Sequence, residues 1–303
     1  MQDAVELIGG SGEAETDARL RGLVAGFVEA FPGRIHSVYL VGSRADGSAV
    51  TTSDIDLRIV FRGAFQAGEL ERFLRLRQYV RELSPLGIDC PPLSQERLAG
   101  DEDWLHETIS IKTASVLLYG EDLRPSLSLP SQAAFTRHVT AAPLLFMRQV
   151  RRNPPVLHYP LDYPDADGLF YGYDYLPSDP GGHESSLKLL VHIAGFIATS
   201  LLALQAGQMV TSKSGWLSAY RSHIHDEWLP FLEMIYQRGK VDWAYRIPEG
   251  EEQRELLRGL CRQELRFENY YLEQYRHYLL GEMASSDFQR QSFAAERLKE
   301  IAF

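Results

Sequence analysis

The sequence is poor in the residues that build disulfide or thiolate–metal sites. Two cysteines, Cys90 and Cys261, stand far apart in 303 residues, outside any CxxC or Cys/His spacing, which excludes a disulfide framework and a thiolate metal centre. The histidines form no HExxH-like pattern; His183, His223 and His225 read as ordinary helix and loop residues. Basic residues are outnumbered 31 to 41, giving a formal net charge of −10. A long polyanion would meet an unfavourable average field, so nucleic acid is not the expected partner. One basic cluster, Arg148, Arg151 and Arg152, reads as the solvated end of a helix.

Other features are missing too. The segment MQDAVELIGGSGEAETD has no basic stretch followed by an apolar run, so it does not read as a secretory signal, and a reducing cytoplasm is the expected compartment. Its GGSGE follows no strand and lacks the GxGxxG spacing, which leaves a flexible leader. From Leu189 to Ser212 there is no charged side chain, a length that could span a bilayer. His192, Thr199, Ser200, Gln205 and Gln208 interrupt it and no basic loops flank it, so it is expected as a helix buried in a bundle, with no membrane partner.

What is present is a soluble globular composition, 45% hydrophobic and 24% charged, in a chain long enough for two domains. The first third alternates helical and extended patterns. Leu20, Leu23, Val24, Phe27, Val28 and Phe31 recur at helical spacing behind a possible Thr16 cap, and Pro32–Gly33 ends the run. Ser37–Val41 reads as a buried strand, Ile55–Phe61 as a second and Leu86–Leu93 as a third weakened by Pro91 and Pro92. Glu69–Leu83 is an Arg-rich amphipathic helix. The segment PSLSLP, 125–130, reads as a linker. The expected fold is α+β: a mixed sheet flanked by helices over residues 1–124, then an all-α helical bundle over 131–303 carrying an inserted acidic and aromatic loop, 154–182.

The chemistry concentrates near residues 42–56. A strand ending at Gly42 and Ser43 offers close backbone approach and a hydroxyl to a triphosphate. After ten intervening residues come Asp54 and Asp56, whose i, i+2 spacing on a strand sends both carboxylates to one side. Carboxylate oxygens are what magnesium takes, and two magnesium ions suit phosphoryl and nucleotidyl transfer. Asp89 on the third strand is the candidate third carboxylate, as metal ligand or as general base. Arg44 and Ser53 flank the motif as candidate phosphate donors.

The run VGSRADGSAVTTSDIDLRIVF resembles the signature of the DNA polymerase β-like nucleotidyltransferase superfamily, in which Gly-Ser precedes an Asp-x-Asp pair and a third carboxylate follows. The two-part layout is similar to that of the streptomycin and spectinomycin adenylyltransferases, and ALQAGQMVTSKSGWLSAY resembles the segment in which those enzymes bring a lysine to the nucleotide phosphates. The resemblance implies Asp54, Asp56 and Asp89 as catalytic metal ligands, Gly42, Ser43, Arg44, Ser53 and Lys213 as nucleotide contacts, two Mg2+ ions, ATP as donor and a small-molecule acceptor. Modification of a tRNA end or of a protein, and a silent nucleotide-sensing module, are the competing readings. Independently, Pro154–Leu187 contains no Lys or Arg and interleaves carboxylates with tyrosines, a lining suited to a cationic acceptor.

Overall fold

The computed structural model describes residues 5–98, 105–162, 174–178, 182–212 and 214–303. The chain divides into two compact units. The first comprises Met1–Ser131 with Leu176–His183 and Thr211–Gly215; the second comprises Gln132–Tyr175, Glu184–Val210 and Trp216–Phe303.

In the first unit, helix α1 (Ala14–Ala30) precedes strand β1 (Ile35–Val41), and strand β2 (Ile55–Phe61) returns antiparallel beside it. Helix α2 (Glu69–Leu83) leads to strands β3 (Ile88–Asp89) and β4 (Pro92–Ser94), both parallel to β2. Short helix α3 (Gln95–Leu98) and helix α4 (Leu105–Thr113) lead to strand β5 (Val116–Gly120), antiparallel to β1. The mixed sheet has the order β3-β2-β1-β5, with β4 also on β2.

Two expectations are corrected. Helix α1 begins at Ala14 behind Glu13, and Thr16 lies inside it, donating its hydroxyl to Glu13 Oε2 at 2.8 Å. The single strand expected over Leu86–Leu93 is two short ones broken at Cys90–Pro91, where proline supplies no ladder N–H. The edge strand β5 went unrecognised in the sequence.

The sheet separates two cores by its period of two. Ile55, Leu57, Ile59 and Phe61 point into the core under α1 and α2, with Leu20, Val24, Phe27, Phe31 and Phe73. Phe73 is fully buried, stacked on Phe27 at 5.1 Å and edge-on to Phe61 at 5.8 Å. On the opposite face Tyr39 and Val60 pack with Leu93, Leu98 and Ile111. That same face carries Asp56 and Arg58.

The second unit is mainly helical. In chain order, helix α5 (Gln132–Val150) is followed by strand β6 (Leu157–His158), a ribbon of β7 (Asp174–Ser178) and β8 (Gly182–Ser186) whose Leu176–His183 portion falls in the first unit, and helix α6 (Lys188–Ala206). Helices α7 (Gly215–His223) and α8 (Leu229–Ile235), a π-helical stretch (Tyr236–Asp242), and helices α9 (Glu251–Met283) and α10 (Phe288–Leu298) lead to strand β9 (Ile301–Ala302). Short strands accompany the helices: β9 pairs parallel with β6, and the inserted segment contains β6 and β7. Residues 163–173, which hold much of its acidic and aromatic content, lie outside the described residues. Helix α6 is long and apolar enough to cross a membrane, yet 67% of its apolar window is buried inside the protein. It packs on α5 and α9, and Ser200 Oγ donates to Val139 O of α5 at 2.9 Å.

Helix α9 buries two carboxyls one turn apart, Glu264 and Glu268, both fully covered. Arg151 pairs with Glu268, at 2.7 Å from NH2 to Oε2 and 3.3 Å from NH1 to Oε1. Neither oxygen of Glu264 accepts a hydrogen bond. Burial, and then the Glu268 charge, hold the Glu264 carboxyl well above the ordinary carboxylate range, with Arg151 opposing them. A carboxyl whose pKa is raised by folding contributes its full stability below its unfolded value near 4.5, and that contribution is lost as pH climbs toward the folded value. Glu264→Gln removes the titration while keeping the shape. Thermal unfolding followed by circular dichroism should therefore show a higher Tm for the variant at pH 8 and little difference at pH 4.5. An equal loss of Tm at both values would contradict this assignment.

Candidate active site

The site begins where β1 ends. Gly42 adopts φ +73°, a conformation costly for residues with a Cβ, and opens a 3-10 turn through Arg44. Gly42 O accepts from Ala45 N at 3.0 Å and from Asp46 N at 3.2 Å, and Ser43 O accepts from Ser48 N at 2.9 Å. Because Val41 is the register partner of Asp56, this turn emerges directly beside the start of β2.

Asp54 immediately precedes β2, and Asp56 is its second residue, buried at 6% exposure. Next to them runs the segment entering β3. Ile55 N donates to Gly87 O at 2.8 Å, and a Cβ built on Gly87 would lie 3.2 Å from Asp54 Cβ. The missing side chain at Gly87 is what lets this segment pass so close to Asp54. Parallel pairing then makes Asp89 the register partner of Asp56. Three aspartates from two adjacent strands are thus collected at one end of the sheet, next to the Gly42–Ser43 turn.

Asp89 is the open member, with 56% of its side chain exposed, and its Oδ2 accepts from Arg58 NH1 at 3.2 Å. Arg58, two residues beyond Asp56 and on the same face, is almost completely buried. It donates also to Leu57 O at 3.1 Å and, through Nε, to Glu107 on α4. Burial pushes the Arg58 guanidinium down, but Glu107, Asp89 and Asp56 outweigh it and hold the group above its ordinary value. Burial raises Glu107 despite Arg58. Cys90, behind Asp89, is pushed up to about 12 by burial and by the Asp89 charge, so it is an inert thiol. Among the described residues no three acidic, imidazole or thiol groups stand close enough to hold an ion as they are placed. The aspartates repel one another, and Asp89 is turned to Arg58.

The flanking candidates have different parts. Arg44 is buried and spent on the protein itself: it donates to Ser53 O at 2.8 Å, Asp54 O at 3.2 Å, Thr16 Oγ1 at 2.9 Å and Glu13 Oε2 at 3.0 Å. It braces the loop leading into Asp54. Ser53 is likewise buried, its hydroxyl accepting from Val50 N at 2.9 Å to close the preceding turn. Ser43 is buried within the turn. Lys213 lies outside the described residues. Its neighbour Ser214 donates its backbone N–H to Asp46 Oδ2 at 3.0 Å, and Thr211 Oγ1 accepts from Thr113 Oγ1 at 2.6 Å.

Sequence reasoning missed Arg58, Glu107 and Gly87. Arg58 had a signal, its i+2 spacing from Asp56 on the same strand face. Glu107 had none, since only the packing of α4 brings it there.

Residues 20–111 match the nucleotidyltransferase domain family. No curated protein matches the chain in sequence. Among solved structures, the chain is similar to spectinomycin adenyltransferase AAD(9) from Enterococcus faecialis, solved with ATP and spectinomycin, at 12% identity and a TM-score of 0.50, covering 82% of this chain and 99% of that one. A putative nucleotidyltransferase from Sulfolobus solfataricus matches at 25% identity over 33% of this chain and 76% of that one, with a TM-score of 0.23. A nucleotidyltransferase-like protein from Exiguobacterium sibiricum matches at 11% identity over 84% and 78%, with a TM-score of 0.27.

Asp54→Asn and Asp56→Asn each remove one carboxylate charge while keeping the size of the side chain. The fold should survive, while turnover falls about 100-fold or more. Steady-state pyrophosphate release alongside thermal unfolding separates the two effects; full turnover in either variant would remove that residue from the site.

Proposed function

We propose, from the match of residues 20–111 to the nucleotidyltransferase domain family, that the chain is a nucleotidyltransferase of the DNA polymerase β-like superfamily that transfers AMP from ATP to a hydroxyl of a small cationic acceptor of aminoglycoside type. The observation that carries this reading is the convergence of Asp54, Asp56 and Asp89 beside the Gly42–Ser43 turn. Carboxylate oxygen is the donor magnesium takes, and Asp54 and Asp56 would hold it, with Asp89 beside them. Bound there, magnesium neutralises charge on the phosphates.

In the transfer, the acceptor oxygen forms a bond to the α-phosphorus, the bond from that phosphorus to the bridging oxygen breaks, and pyrophosphate leaves. The hydroxyl proton goes to Asp89, the aspartate open to solvent, acting as base. Backbone groups of the Gly42–Ser43 turn meet the triphosphate, and Lys213 supplies a cation to it. Support for a cationic acceptor comes from Pro154–Leu187, which has carboxylates and tyrosines but no Lys or Arg, and from the similar fold solved with ATP and spectinomycin.

Two experiments test this. Incubation with Mg2+ and labelled ATP, GTP, CTP or UTP against aminoglycosides, RNA and lysate proteins should place label from ATP on an aminoglycoside. Acceptor KM should then rise with ionic strength more than ATP KM does. Label on RNA or protein, or a preference for a neutral acceptor, would overturn the acceptor class. Separately, Lys213→Ala should raise ATP KM about 10-fold with acceptor KM little changed, roughly the loss of one charge-assisted contact; an unaltered ATP KM would remove Lys213 from the phosphates.

A further inference from the structure

The strand β2 places a cation where the signature calls only for carboxylates. Residues 54, 56 and 58 share one face, so Arg58 follows the Asp pair on the side that faces α4. Its guanidinium bridges two acids of different standing. Glu107 is mostly buried, 19% exposed, and pairs with Nε; Asp89 is 56% exposed and meets NH1 at the longer distance of 3.2 Å. Leu57 O accepts from the same NH1 at 3.1 Å, which fixes the plane of the fork. One partner anchors the arginine from within the protein while the other stands at the open edge of the site.

We propose that Arg58, anchored by Glu107, is a positioning residue that sets the orientation of the Asp89 carboxylate for the transfer step. This rests on the reading of Asp89 as a member of the site. A buried arginine with no local counter-ion would be costly, and Glu107 neutralises it independently of Asp89. Arg58 takes only Oδ2 of Asp89, so Oδ1 can turn to another partner while the contact holds. A planar guanidinium fixes both distance and direction of a carboxylate oxygen, which a lysine ammonium would not. Outer partners of this kind contribute about 10- to 100-fold to a site when removed.

The test compares Arg58→Met, Asp89→Asn, the Arg58→Met/Asp89→Asn pair and Arg58→Met/Glu107→Leu. The last removes both buried charges and guards against misfolding. Thermal unfolding is measured for each, with pyrophosphate release from Mg2+–ATP, with spectinomycin as acceptor and with water alone. Arg58→Met should lower kcat about 10- to 100-fold with ATP KM within about threefold of the parent. Arg58→Met/Asp89→Asn should be no slower than Asp89→Asn alone, because the arginine acts only through that carboxylate. Arg58→Met/Glu107→Leu should fold and stay slow. Recovery of parental kcat in that variant, additive losses in the Asp89 pair, or a fully active Arg58→Met beside an inactive Asp89→Asn would overturn the positioning role alone. A fully active Asp89→Asn would overturn both this role and the placement of Asp89 in the site.

Discussion

Strand β2 has to satisfy a hydrophobic core and a charged site at once, and it does so through the alternation of side chains along an extended backbone. Ile55, Leu57, Ile59 and Phe61 are withdrawn into the core beneath α1 and α2, and their burial pins the register of the strand. A slip of one residue would drive Asp56 and Arg58 into that core, at a cost far above any gain in pairing. The precision of the site is thus inherited from apolar packing on the far face of the sheet. The antiparallel partner brings the Gly42 turn to Asp56, and the parallel partner brings Asp89 there.

The opposite face carries an unusual charge load. Asp56, Arg58, Asp89 and Glu107 form a connected group with one cation for three carboxylates, and Asp54 adds a fourth acid at its edge. Such a group is tolerable because Arg58 is placed between the acids and because Asp89 is half in solvent, where its charge is cheaply hydrated. Arg44 contributes no relief, since its guanidinium is consumed by Glu13, Thr16 and the carbonyls of Ser53 and Asp54.

Much of this was readable from residue order. The strand ending at Gly42 and the strand opening at Ile55 are marked by β-branched residues and a turn glycine, and the Asp54–Asp56 spacing fixes their common side. The mixed sheet followed by helices was legible from the change in hydrophobic period after residue 131. What escaped depends on packing across the sequence. Gly87 is invisible as a site residue until the segment entering β3 is laid against Asp54. Glu107 lies 49 residues from Arg58. The bracing contacts of Arg44 were not legible either, because proximity in sequence to Gly42 says nothing of where a long side chain turns. Within the helical unit, Glu264 and Glu268 show the i, i+4 spacing of a solvated pair, and only the tertiary contacts of α9 bury them.

On the proposed function, these placements constrain how a triphosphate would be met. A nucleotide brings negative charge to a surface already dense in carboxylates, and the attraction must come from elsewhere. The two arginines nearest the motif in sequence, Arg44 and Arg58, are both buried and both committed to protein partners. Neither can serve as a phosphate clamp without leaving an acid or a carbonyl behind. The charge of the donor therefore has to be balanced by cations arriving with it and by donors on other segments, and the Thr211–Gly215 segment, which clusters with the first unit and whose Ser214 reaches Asp46, is placed to contribute. On the proposed function, a surface so arranged would repel nucleotide that comes without its metal and accept it when the metal accompanies it, which would tie the negative cluster to selection of the metal–nucleotide complex as substrate.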